Sequence, residues 1–78
     1  MKEKILSILS DLRPEFDFSE SENYIEDGYL DSFDVVTLVS ELEEKFGILI
    51  DALDILPENF ANAAAIAALV KKSGGAEE

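Results

Sequence analysis

In the run Asp27-Gly28-Tyr29-Leu30-Asp31-Ser32-Phe33-Asp34, a serine hydroxyl stands beside an aspartate where an acidic loop meets an amphipathic helix. A serine placed there can take a phosphate-bearing group, because a helix N-terminus turns unpaired N–H groups and the positive end of its dipole toward an anion. Two capping arrangements are open. With Asp31 as N-cap, its carboxylate accepts the early backbone donors, Asp34 occupies the acidic position of a capping box, and the Ser32 hydroxyl is left free. With Ser32 as the cap, the hydroxyl is used up by the backbone. Serine fills that position so often that the dipeptide alone favours this second arrangement.

The elements around this point follow from hydrophobic spacing. Ile5, Ile8, Leu9 and Leu12 recur at helical period and predict a helix from Lys2 to Arg13, stopped by Pro14. Residues 14–30 form a long acidic loop, and a loop of that length in a small domain needs its own anchors. Phe16, Phe18, Tyr24, Ile25 and Leu30 are the candidates. A second helix runs from Ser32 to about Phe46, with Val35, Leu38, Val39, Leu42 and Phe46 as its buried stripe. Phe33, Val36, Thr37, Ser40 and Glu44 fall on another face, beside the serine. Left exposed, Phe33 and Val36 make a docking patch; covered by the loops, they are ordinary packing. Gly47 ends the helix. After a connection over 48–56, Pro57 opens a short helical turn to Phe60. Asn62 caps a last helix from Ala63 to about Lys72, with Ala63, Ile66, Ala67 and Val70 inside and Lys71 and Lys72 at its C-terminus. The expectation is an all-α fold, a small antiparallel bundle of three main helices plus one short helix.

Composition narrows the chemistry. Seventy-eight residues make one small domain. Without cysteine or histidine there is no disulfide, no thiol nucleophile, and neither the commonest general base nor the commonest zinc ligand. A calcium loop aligned on Gly28 puts Ile25 at its third position and Asp34 where a bidentate glutamate belongs, so no metal site is expected. No carboxylate can be assigned an apolar pocket and no activated nucleophile is evident, which argues against an enzyme. The net charge of −12 repels nucleic acid and anionic membranes and steers basic protein partners, although a charge excess alone also suits a solvated surface. No apolar run reaches membrane-spanning length, and the N-terminus reads as a helix start rather than a signal peptide, so a cytoplasmic protein is expected.

Taken together, Gly28, Leu30, the Asp31-Ser32 pair and the helix ending Leu42-Glu43-Glu44-Lys45-Phe46-Gly47 resemble the acyl carrier proteins. The resemblance continues through Ile48, Ile50, Ile55, the Pro57–Phe60 segment and Ile66, covering the chain from Lys2 to Lys72. It implies that Ser32 carries covalent 4′-phosphopantetheine, with Asp31 and Asp34 beside it. The arm would be installed from coenzyme A by a phosphopantetheinyl transferase and would hold acyl or aminoacyl groups as thioesters. The residues themselves lead to the expectation of a monomer whose carrier domain spans residues 1–73, with a flexible tail over 74–78, and which inserts in no membrane and binds no nucleic acid. The partners implied are the transferase, an acyl- or aminoacyl-activating ligase and acyltransferases. They would meet the second helix through Phe33, Val36, Thr37, Ser40 and Glu44.

This chain departs from the pattern of carriers for fatty acid synthesis. Phe33 follows the serine where leucine or methionine is usual, and Thr37 and Ser40 stand where an acid and an apolar residue are common. The spacing from Gly28 to Ser32 is similar to that of D-alanyl carrier proteins. These points imply a dedicated carrier with its own ligase. The small inner face of Ala63, Ala67 and Val70 implies a short cargo held outside the core. The rival reading is a non-catalytic acidic helical adaptor for a basic partner, which explains charge and fold but not the placement of the Asp-Ser pair.

Overall fold

The computed structural model describes residues 2–74, and among these the secondary structure is entirely helical. Helix α1 spans Lys2–Leu12, α2 Ser32–Phe46 and α3 Ala63–Lys72, with 3₁₀ turns at Ala52–Asp54 and Pro57–Phe60 between α2 and α3. This is the expected acyl-carrier-like bundle of three main helices and a short one. The Ala52–Asp54 turn is an addition, inside what spacing alone gave as plain connection. It forms because the Asp51 carboxylate accepts the Leu53 N–H at 2.9 Å, an aspartate nucleating a turn with its own side chain. Helix α1 ends one residue earlier than its periodicity suggested, yet the Arg13 N–H still bonds the Leu9 carbonyl at 2.9 Å.

One apolar cluster holds these elements together. Ile5 and Leu9 from α1, Leu38 and Leu42 from α2, Phe60 from the second 3₁₀ turn, and Ile66 and Val70 from α3 are all without solvent exposure. Helix α1 packs on both α2 and α3, while α3 also packs on the Pro57–Phe60 turn. The buried stripe of α3 is wider than its spacing suggested. Leu69 is buried alongside Ile66 and Val70, whereas Ala63 and Ala67 lie half-buried at its edge. Phe46, expected in the stripe of α2, is also half-buried, with the Lys4 ammonium 4.8 Å from its ring centroid.

The acidic loop over 14–30 is pinned by rings. Phe18, Tyr24 and Leu30 are buried, and Phe16 and Ile25 pack against the cluster, as their spacing suggested. Tyr29 joins them: its ring stacks on Phe16 with centroids 4.5 Å apart and meets Phe18 edge-on at 5.5 Å. Backbone bonds lock the same segment. The Tyr24 N–H reaches the Ala61 carbonyl at 2.6 Å, and the Tyr24 carbonyl receives the N–H groups of Tyr29 and Leu30. The chain doubles back there with Gly28 at φ +77°, a left-handed conformation that glycine adopts without steric cost. The result delivers Asp31 to the start of α2 in a fixed position. Of the expected tail, residues 75–78 lie outside the described residues.

Candidate functional site

Asp31, in extended conformation, is the N-cap of α2. Its Oδ1 accepts the Asp34 N–H at 2.9 Å, and Asp34 Oδ2 accepts the Asp31 N–H at 3.2 Å, a complete capping box. Ser32 is therefore the first helical residue and is exposed. Among the described residues its hydroxyl has no hydrogen-bond partner. Of the early donors, Asp34 N–H goes to the cap and Val35 N–H to the Asp31 carbonyl at 3.0 Å. The N–H groups of Ser32 and Phe33 have no acceptor within the helix and remain for an anion at this end.

Asp34 is turned into the fold, unlike Asp31. It is only 6 % exposed, and the Arg13 guanidinium grips it: Nε lies 3.1 Å from each carboxylate oxygen and Nη2 2.9 Å from Oδ2. Burial pushes this carboxyl up, but the hydrogen bonds and charge of Arg13 and the Asp31 N–H outweigh it, and the net shift is downward. Arg13 is completed by Glu15 at 3.3 Å. No reading of the sequence pointed to Arg13. The available signal was its isolation as the one cation between Lys4 and Lys45.

Beside Ser32 lies a cleft of about 300 Å³, lined by Ile25 of the acidic loop, Val35 and Val36 of α2, and Ile55 and Pro57 of the second connection, together with Asp31 and Ser32. Ile55 and Pro57 come from 23 and more residues away, so no local pattern could place them here. A groove of about 340 Å³ between α1 and α2, lined by Ile8, Asp11, Leu12, Glu41 and Lys45, contains none of the candidate site residues.

The second face of α2 is open. Phe33 is 80 % and Val36 65 % exposed, so the loops leave them uncovered. Ser40 and Glu44 are exposed on the same face, and Thr37 is half-buried with its hydroxyl donating to the Phe33 carbonyl at 3.3 Å. The spacing of 3, 4, 7 and 11 residues from Phe33 brings these five side chains together. The sequence reading did not single out Leu49 and Leu53, which are as exposed as Phe33, at 84 % and 82 %. Among the described residues no group of three or more His, Cys, Asp or Glu is placed to hold a metal ion. No helix among them is long and apolar enough to cross a membrane.

Residues 3–70 match a protein family described as "Phosphopantetheine attachment site". No curated protein matches the chain. The matched residues run from the first turn of α1 into the last turn of α3 and include α2, both 3₁₀ turns and the acidic loop.

Proposed function

We propose, from the premise that this chain belongs to the acyl carrier family defined by its phosphopantetheine attachment site, that Ser32 is the attachment residue and that the protein serves as a dedicated carrier of short acyl or aminoacyl groups. Proteins of this family carry 4′-phosphopantetheine covalently. The residues present fit that group. The observation that carries the assignment is the division of labour at α2: Asp31 does the capping, so the exposed Ser32 hydroxyl next to it is unpartnered. Two unpaired N–H groups stand at the same helix end for the phosphate, and the apolar cleft beside Ser32 offers Val36, Ile55 and Pro57 to whatever extends from it.

In the modification, Ser32 Oγ forms a bond to the pantetheine-bearing phosphorus of coenzyme A. The bond from that phosphorus to adenosine 3′,5′-bisphosphate breaks, and the hydroxyl proton passes to the transferase or to water. When bound, the arm supplies a terminal thiol for thioester linkage. The chain's own part is to present the hydroxyl, keep Asp31 at the cap, and offer the face of Phe33, Val36, Thr37, Ser40 and Glu44 to a transferase, an activating ligase and acyltransferases. It performs no catalysis itself. We assign the carrier domain to residues 1–73 of a cytoplasmic monomer.

A short cargo suits a cleft at the small end of ligand-pocket volumes, about 300 Å³. The spacing similar to D-alanyl carriers, Gly28 to Ser32, supports the same reading, with Gly28 at positive φ in the turn that delivers Asp31. The deciding experiment is mass spectrometry of the protein treated with coenzyme A and a broad-specificity phosphopantetheinyl transferase. One added phosphopantetheine on wild type and none on Ser32→Ala is the expected result. Wild type that stays unmodified while binding a basic partner points instead to an acidic adaptor.

A further inference from the structure

In a chain of net charge −12, Arg13 is the one cation between Lys4 and Lys45, and the fold places it against the first turn of α2. Its base is fixed, since the Arg13 N–H continues the bonding of α1 to the Leu9 carbonyl. Its head is fixed too. A planar guanidinium contacting both oxygens of a carboxylate holds orientation as well as charge, which an ammonium cannot do. Asp34 in turn accepts the Asp31 N–H, so an unbroken chain of hydrogen bonds runs from the end of α1 to the residue before Ser32.

Two effects meet at Ser32. The first turn of α2 is tied to α1 across 21 residues of sequence. It also carries two carboxylates, Asp31 and Asp34, close to where a phosphate must arrive, and like charges at such range oppose one another. Arg13 pairs with one of them. We infer that Arg13 is a positioning residue for modification at Ser32: acting through Asp34, it fixes the first turn of α2 and cancels the carboxylate charge that would oppose the incoming phosphate. This rests on Ser32 being the attachment residue.

The test compares wild type, Arg13→Gln, Arg13→Lys and the double variant Arg13→Gln/Asp34→Asn. Each is treated with coenzyme A and a broad-specificity phosphopantetheinyl transferase, with kcat and KM for the carrier read by intact mass and the apo amide spectra recorded alongside. Arg13→Gln is expected to lower kcat on the order of tenfold, the scale of a slight misplacement of a reacting group, with KM little changed because Phe33 and Val36 are untouched. Arg13→Lys keeps the charge without the fork and should fall between. The double variant removes the opposing charge but not the loss of the tether, so its kcat should rise above that of Arg13→Gln and stay below wild type; no rise overturns the charge argument, and full recovery overturns positioning. A folded Arg13→Gln protein modified at the wild-type kcat overturns the inference. Should Arg13→Gln lose its amide dispersion, Arg13→Lys decides: unchanged kcat and unchanged Ser32 and Phe33 amide shifts refute positioning, and slower transfer with displaced shifts supports it. Unmodified wild type, or modified Ser32→Ala, is a failure of the attachment assignment and is told apart from these outcomes.

Discussion

Neighbouring residues with opposite duties give the sharpest test of the site. Asp31→Ala removes the side-chain acceptor of the Asp34 N–H at 2.9 Å and leaves that donor without a capping partner. Loss of an N-cap costs roughly 0.5–2 kcal/mol, typically about 1. A carboxylate at the positive end of the dipole contributes about 0.3–1 kcal/mol by charge, part of the same effect. The reverse bond, from the Asp31 N–H to Asp34, uses backbone and survives. For a domain of this size each kcal/mol moves Tm by roughly 4–8 °C, so a drop of about that size is expected for Asp31→Ala. Ser32→Ala removes a hydroxyl with no partner and adds a better helix former, so its Tm should stay within roughly 3 °C of wild type. Far-UV circular dichroism melts give the order of stability, and intact mass after transferase treatment gives the chemistry. The expected pattern is crossed: Asp31→Ala less stable but still modifiable, Ser32→Ala stable but never modified. A larger Tm loss in Ser32→Ala than in Asp31→Ala refutes the reasoning, because it makes Ser32 the cap and its hydroxyl unavailable.

Three further outcomes are expected. Phe33→Ala and Val36→Ala, at exposed positions, should change stability by no more than about 0.5 kcal/mol yet lower the efficiency of transferase modification, and association should slow as salt screens the acidic surface over about 10 Å at 0.1 M; rates indifferent to both leave the face serving solubility only. Asp34, held below the ordinary carboxyl range, contributes stability that is present above the unfolded carboxyl pKa and lost as pH falls through the folded one, so the urea-melt difference between wild type and Asp34→Asn should be full near neutrality and shrink below about pH 4. Loading the modified protein with a short and a long acyl group should move amides near Ser32 and the cleft; core-wide shifts centred on Leu42, Phe46 and Ile66 with the long chain defeat the reading of a cargo held outside the core.

How much of this was readable in the sequence depended on how local the causes are. The causes at the start of α2 were local, although Asp31 and Ser32 both stood open as the cap and it is the structure that forms the box between Asp31 and Asp34. So were the stop at Gly47, at φ +64°, and the Asn62 cap, whose Oδ1 accepts the Ala65 N–H at 2.8 Å. The stripe of α2 held at Val35, Leu38, Val39 and Leu42 because one helix faces one core. Periodicity failed where a second neighbour intervened. Leu69, outside the inner face read from spacing, is buried, and α3 packs on the Pro57–Phe60 turn as well as on α1.

The site divides along the same line. The free hydroxyl is one of the two capping arrangements that the neighbouring residues leave open, but the pairing of Asp34 with Arg13 is in neither. The resemblance sets its carboxylate beside Ser32 as an equal of Asp31, whereas folding carries Arg13 to it from 21 residues away. A carboxylate that accepts two roles, capping by one oxygen and ion-pairing by both, cannot also be a freely displayed surface charge. Burial at 6 % exposure follows from those partners rather than from any apolar character of the residue. Asp31 and Glu44 are exposed carboxylates of α2 and its cap, whereas Asp34 is buried against Arg13. That asymmetry between two aspartates three residues apart is a property of the packed chain and not of their spacing.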